Sequence, residues 1–261
     1  MTSIAGLVPF VRQAGKVAAD RQHTVSRSLK EDGSILTQVD KELDAFLRSS
    51  IVGLYPDANL ISEETSDQAD VSQAFTFAVD PIDGTDCYSQ GMPGWSISVG
   101  LLDADLVPTA GFVFAPRWGS EGGSFLFADI GTVARLNDET VPPREGIRGE
   151  PQVMVGSDLY KHFRMDGFPG KLRNIGSTAV QIISPLLHSA VCGTIFEPNY
   201  IWDIAGAHAI VRSMGLRMEY FDGRTIDYAP LLGRKKADGV IVAGTEEGIE
   251  LIRRTFLPIR A

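Results

Sequence analysis

The stretch Ala78-Val79-Asp80-Pro81-Ile82-Asp83-Gly84-Thr85 places an apolar strand directly ahead of two aspartates, with a proline between them and a glycine at the turn. That layout lets both carboxylates face one side. Hard divalent cations take oxygen ligands, and magnesium in particular is held by a few carboxylates together with water and substrate phosphate. After Gly84 the backbone can turn N–H groups toward an anion, as turns and helix starts do. Asp, Pro and Gly are also ordinary turn formers, so the rest of the chain has to decide between a metal site and a polar turn.

Around this stretch, from Phe75 to Phe127, the pattern is β-type. Short apolar runs at Phe75–Val79, Trp95–Leu102, Gly111–Phe114 and Ser124–Ala128 are separated by glycines and prolines, which predicts a sheet. Upstream, Ile4, Leu7, Val8, Val11, Ala14 and Ala18 recur at helical spacing. A second helix is predicted after Asp40, with Leu43, Phe46, Leu47 and Ile51 as its apolar stripe and Gly53 and Pro56 as its stop. Residues 137–152 are polar, carry Pro142, Pro143, Gly146 and Gly149, and lack periodicity, so a boundary is expected there. It would separate an N-terminal α+β half, 1–140, from a C-terminal α/β half, 150–261. In the latter, helices are expected at Thr178–Ala190 (interrupted by Pro185), Ile204–Met214 and Thr245–Phe256, and strands at Leu216–Phe221 and Val240–Val242.

The chain has 261 residues, 44% hydrophobic and 22% charged, enough for one large domain or two modest ones. A formal net charge of -9 disfavours nucleic acid polymers and anionic membranes as partners, while a local pocket can still hold a small phosphorylated metabolite. Two cysteines, Cys87 and Cys192, cannot build a disulfide framework or a four-thiolate zinc site. Met1–Asp20 is amphipathic and unlike a secretory signal, and no apolar run is long enough to span a bilayer. A cytoplasmic protein is expected. His23, His162, His188 and His208 show no zinc-ligand spacing.

Further acidic segments join the first stretch. Ser62-Glu63-Glu64 follows a short apolar run, and Trp202-Asp203-Ile204-Ala205-Gly206 sets an aspartate at the opening of a helix. With Lys30, Leu36-Thr37-Gln38-Val39-Asp40, the Asp80–Thr85 motif and Gly176-Ser177, these segments resemble the inositol monophosphatase superfamily in content and order. The resemblance implies a layered αβαβα sandwich, of the type shared with fructose-1,6-bisphosphatases, and a lithium-sensitive phosphatase with two or three magnesium ions. It further implies that Glu63, Asp80 and the carbonyl of Ile82 hold one ion and that Asp80, Asp83 and Asp203 hold a second. Thr85, bonded to Asp40 next to Thr37, would join Glu63 in orienting the attacking water. The amides of Gly84 and Thr85 would meet the phosphate, and Gly176, Ser177 and Glu197 would lie on the substrate side. A homodimer follows by the same analogy.

This sequence departs from the family pattern after Thr85, where it reads Asp86-Cys87-Tyr88 and so sets an extra negative charge beside a phosphate site. Glu197 stands one residue too close to Asp203, Ser62 replaces a glycine, and Asn137-Asp138 only loosely matches an Asn-Gly turn. The leading expectation is hydrolysis of inositol monophosphate or a related polyol or sugar phosphate. The alternatives are a 3'(2'),5'-bisphosphate nucleotidase and a non-catalytic phospho-ligand binding protein.

Overall fold

A computed structural model describes residues 3–29, 35–65, 73–144 and 146–259; Lys30 lies outside the described residues. In chain order the strands are β1 (Arg27–Leu29), β2 (Ile35–Thr37), β3 (Asn59–Ser62), β4 (Thr76–Asp83), β5 (Ser96–Leu102), β6 (Pro108–Ala115), β7 (Ser124–Ala128), β8 (Arg135–Leu136), β9 (Glu139–Thr140), β10 (Gln152–Val155), β11 (Phe163–Arg164), β12 (Lys171–Arg173), β13 (Val191–Phe196), β14 (Arg217–Tyr220), β15 (Ile241–Gly244) and β16 (Leu257–Pro258). The helices are α1 (Val8–Arg21), α2 (Gln38–Leu54), α3 (Thr85–Ser89), α4 (Thr178–Leu187), α5 (Ile201–Ser213) and α6 (Glu246–Thr255).

Strands β3 to β9 form one sheet in sequence order, and β12-β10-β13-β15-β14 form a second. In β4 successive side chains alternate between the two faces of the first sheet. Phe77 and Val79 join a core with Leu7, Val11 and Ala14 of the N-terminal segment and Val39, Leu43 and Leu47 of α2. Ala78, between them, joins Ile182 of α4 and Ile204 of α5 in the layer between the sheets. The outer face of the second sheet is covered by Ile249 and Ile252 of α6, packed on Val153, Ile195 and Val242. The layers therefore run helix, sheet, helix, sheet, helix, as the resemblance implies.

Helix α5 lies directly on the first sheet because glycines meet there. A Cβ on Gly100 would fall 2.5 Å from the Gly206 nitrogen, and one on Gly111 would fall 2.4 Å from the Gly206 oxygen. This close approach brings the start of α5 to the end of β4.

Several elements differ from expectation. Helix α2 begins at Gln38, so Asp40 lies inside its first turn. Helix α5 begins at Ile201, three residues early. Asn137 and Asp138 both take positive φ, 49° and 72°, and close a two-residue hairpin between β8 and β9. The polar segment from Asn137 therefore starts with paired strand, and the turn is made without a glycine. Pro185 sits in the last turn of α4, which continues to Leu187. Val191–Phe196, which carries Gly193 and Thr194 at its middle and no strand periodicity, is the central strand β13.

Candidate active site

Asp80 and Asp83 end β4. Asp80 pairs with Ser98 of β5 and Asp83 with Ser96, so β4 carries one residue more than its partner over this span. Residues three apart in a plain strand face opposite sides, and the extra residue of a bulge turns the second back to the side of the first. Pro81 fits because β3 pairs with β4 only as far as Ser62 opposite Val79. Gly84 follows at φ 89°, and a Cβ there would stand 2.9 Å from the carbonyl oxygen of Gly94. That position demands glycine.

Asp203 arrives from the first turn of α5, where its Oδ2 accepts the Tyr200 N–H at 2.8 Å. One carboxylate oxygen from each of Asp80, Asp83 and Asp203 lies within 4.8 Å of the others. Burial first, and then the charges of Glu63, Asp83 and Asp203, push the Asp80 carboxyl well above the usual carboxylate range. Burial pushes Asp83 up to about 6, opposed by the Ser177 hydroxyl and the Ala179 and Thr178 amides that donate to it. Asp203 is raised well above its ordinary value by burial and then by Asp83 and Glu63. Mutual repulsion of this kind is relieved by a divalent cation.

A cavity of about 470 Å³ joins Asp80 and Asp203 with Glu63, Ile82, Gly84 and Thr85; Ile35 and Asp86 complete its lining, which includes no basic side chain among the described residues. Glu63 follows β3, and its N–H donates to Val79 O at 3.1 Å. The Thr85 hydroxyl stands 3.1 Å from Asp40 Oδ1 and 2.9 Å from the Ile82 carbonyl, two acceptors for one proton. Asp40 Oδ2 accepts the Thr37 N–H at 2.9 Å and also the Thr37 hydroxyl. Burial raises the Asp40 carboxyl, while the Thr37 donors lower it.

The substrate-side residues are placed differently. Ser177 is fully buried; its hydroxyl donates to Asp83 and accepts the Val180 N–H at 3.0 Å, capping α4. It therefore serves the carboxylate cluster. Gly176, at φ 112°, packs on Cys87, where a Cβ would lie 2.3 Å from Sγ. Glu197 packs against Gly156, and its Oε1 is buried without a hydrogen-bond partner. None of these three lines the cavity.

Three further residues escaped the sequence reading. Asp44, one turn after Asp40 and 4% exposed, accepts from the Ser62 hydroxyl and, at 2.6 Å, from the Thr65 hydroxyl. Arg234 donates to the carbonyls of Ser62, Glu63 and Thr65. Arg27 donates to Asp86 Oδ1 at 2.7 Å, so the extra negative charge has a cationic neighbour. Only Asp44 left a signal, its four-residue spacing from Asp40; Arg234 reads as one of a solvated run with Lys235 and Lys236.

Known proteins resemble this chain in sequence and in fold. The model of the inositol monophosphatase family matches residues 2–256. An inositol-1-monophosphatase from Synechocystis is 33% identical over 211 residues, covering 75% of this chain and 70% of that protein. An IMPase structure from Thermotoga maritima superposes with a TM-score of 0.76 at 22% identity, covering 95% of both chains. A staphylococcal inositol monophosphatase-1 structure, an inhibitory complex soaked in LiCl, superposes with a TM-score of 0.80 at 16% identity, covering 97% of this chain and 96% of that one.

Proposed function

This chain belongs to the inositol monophosphatase family, a family of phosphatases, and from that premise we propose that it uses magnesium to hydrolyse a phosphomonoester on a small polyol or sugar, inositol monophosphate first among them. The observation that carries the reading is the convergence of one carboxylate oxygen from each of Asp80, Asp83 and Asp203 within 4.8 Å beside a cavity that Glu63 and Ile82 also line. These are hard oxygen donors without a competing basic group among the described residues of the lining, which suits magnesium. When bound, magnesium lowers the pKa of a water and offsets the charge that develops on the phosphoryl group.

The protein's own groups supply the rest. Glu63 and Thr85 orient the attacking water: the Thr85 hydroxyl donates to Asp40, which Thr37 holds in turn, and so keeps a lone pair to accept the water's hydrogen bond, its own proton lying toward Asp40. The amides of Gly84 and Thr85 face the phosphate. Ser177 and the first amides of α4 hold Asp83 in place, and Glu197 meets substrate hydroxyls farther out. In this reading residues 1–140 contribute most of the ligands, residues 150–261 contribute Asp203 and the substrate contacts, lithium competes for a cation position, and the chain works as a homodimer in the cytoplasm.

Phosphate release with and without magnesium, across inositol monophosphate, fructose 1,6-bisphosphate and 3'-phosphoadenosine 5'-phosphate, tests the reading. Highest kcat/KM on inositol monophosphate is expected. A preference for the nucleotide would replace the substrate assignment, and folded, magnesium-loaded protein inert on all three would favour a binding role.

A further inference from the structure

The hydrogen bonds that tie β3 to β4 end with the Glu63 N–H on Val79, yet Glu63 must be presented at a fixed distance from the aspartates. From one side, Asp44 of α2 holds the hydroxyls of Ser62 and Thr65. From the other comes Arg234, a residue in the left-handed region at φ 57°. Its Nη1 donates to the carbonyls of Ser62 and Thr65, both at 2.6 Å, and its Nη2 donates to that of Glu63 at 2.8 Å. The same guanidinium lies 4.7 Å from the ring centroid of Trp202, the buried residue next to Asp203. The chain after Arg234 is anchored in turn, since the Ala237 N–H donates to Asn199 O at 2.9 Å. One planar fork thus touches both the segment carrying Glu63 and the helix start carrying Asp203.

We propose that Arg234 is a positioning residue that sets Glu63 against the Asp80–Asp83–Asp203 cluster and so tunes the site's magnesium affinity; this rests on reading Glu63 as a metal ligand. The sign of the effect separates position from charge. A guanidinium near a cation site repels the ion, so if Arg234 acted by charge alone, removing it would tighten magnesium binding. If it acts by holding Glu63, removal weakens binding.

Calorimetric titration of the metal-stripped full chain with magnesium tests this. Arg234→Ala is expected to weaken binding about ten- to hundredfold, the usual scale for a residue that orients a ligand. KM for substrate at saturating magnesium stays unchanged, and millimolar guanidinium restores part of the affinity. Arg234→Lys, which keeps the charge and the fold but cannot reach three carbonyls with one ammonium, should remain weakened. Parental or tighter affinity in either folded variant overturns the proposal, and the lysine variant decides if the alanine variant fails to fold. Glu63→Gln is run alongside. Parental affinity there removes the ligand assignment and the proposal with it, whereas loss there without loss in the Arg234 variants removes only the role of Arg234.

Discussion

Asp80 and Asp83 bring their carboxylates together from positions three apart in one strand because β4 holds one more residue than β5 between Ser98 and Ser96. Pro81 lies inside that bulge, beyond the reach of β3. The cluster is therefore a product of strand register, and each member is further fixed by a different neighbour.

Those neighbours make Asp203 and Asp83 unequal targets. Asp203→Asn keeps a carbonyl for the Tyr200 N–H, removes the charge that raises Asp80, and offers Asp80 an amide donor. Turnover should fall about a hundredfold or more, since even groups that merely orient metal ligands cost ten- to hundredfold, while the metal-free protein melts no lower than the parent. Asp83→Asn loses turnover too. Both oxygens of Asp83 accept N–H groups of Thr178 and Ala179, so an amide nitrogen must oppose one of them and stability falls by about 1–3 kcal/mol. Thermal melts with and without magnesium, beside kcat, check both; parental turnover by Asp203→Asn at limiting magnesium would remove it from the ligand set.

Thr85→Ala should lower kcat about a hundredfold, the lower end for groups that handle a proton in the reaction, with little change in magnesium affinity. Thr85→Ser, which keeps the hydroxyl between Asp40 and Ile82, should recover most of the rate. If Thr85 only closes the turn, Thr85→Ala loses stability and the folded enzyme keeps its rate.

Metal-free stability should depend on pH with a definite sign. Asp83 is raised to about 6, and Asp80 and Asp203 are raised as well, so the folded state binds protons more tightly than the unfolded chain, whose carboxylates titrate near 4. The stability this gives is present at low pH and is lost as pH rises through about 6. The metal-free Tm should fall between pH 5 and pH 8, and magnesium should raise Tm more at pH 8. An equal magnesium effect at both pH values would contradict the raised carboxyls.

Asp86 and Arg27 form an ion pair with 63% and 45% of their side chains exposed, worth no more than about 1 kcal/mol. Asp86→Asn should leave Tm nearly unchanged. It removes a negative charge from the cavity rim and frees Arg27, so KM for a phosphomonoester should fall severalfold at low ionic strength, with the gain shrinking in high salt as screening grows. Steady-state kinetics at two salt concentrations check this, and an unchanged KM would mean that Asp86 does not face the substrate.

Much of the fold was legible because its periodicities are local. The stripe of Leu43, Leu47 and Ile51 and the short apolar run Phe75–Val79 ahead of Pro81 and Gly84 follow from one element each. The sheet centre β13 was hidden because Val191–Phe196 is buried at every position and is interrupted by Gly193 and Thr194, so it shows no alternation that separates strand from buried helix. The carboxylates were legible as a set, but the bulge depends on β5, the burial of Ser177 behind Asp83 depends on α4, and Arg234 reaches Glu63 from 171 positions away. Contacts of that separation leave no spacing to read in a single chain.

The most direct test strips the chain of metal, verifies the removal, and follows phosphate release from inositol monophosphate as magnesium is added back. The account predicts negligible turnover before addition and recovery that saturates with magnesium, lost again in Asp203→Asn. Full turnover by the metal-free protein would contradict it.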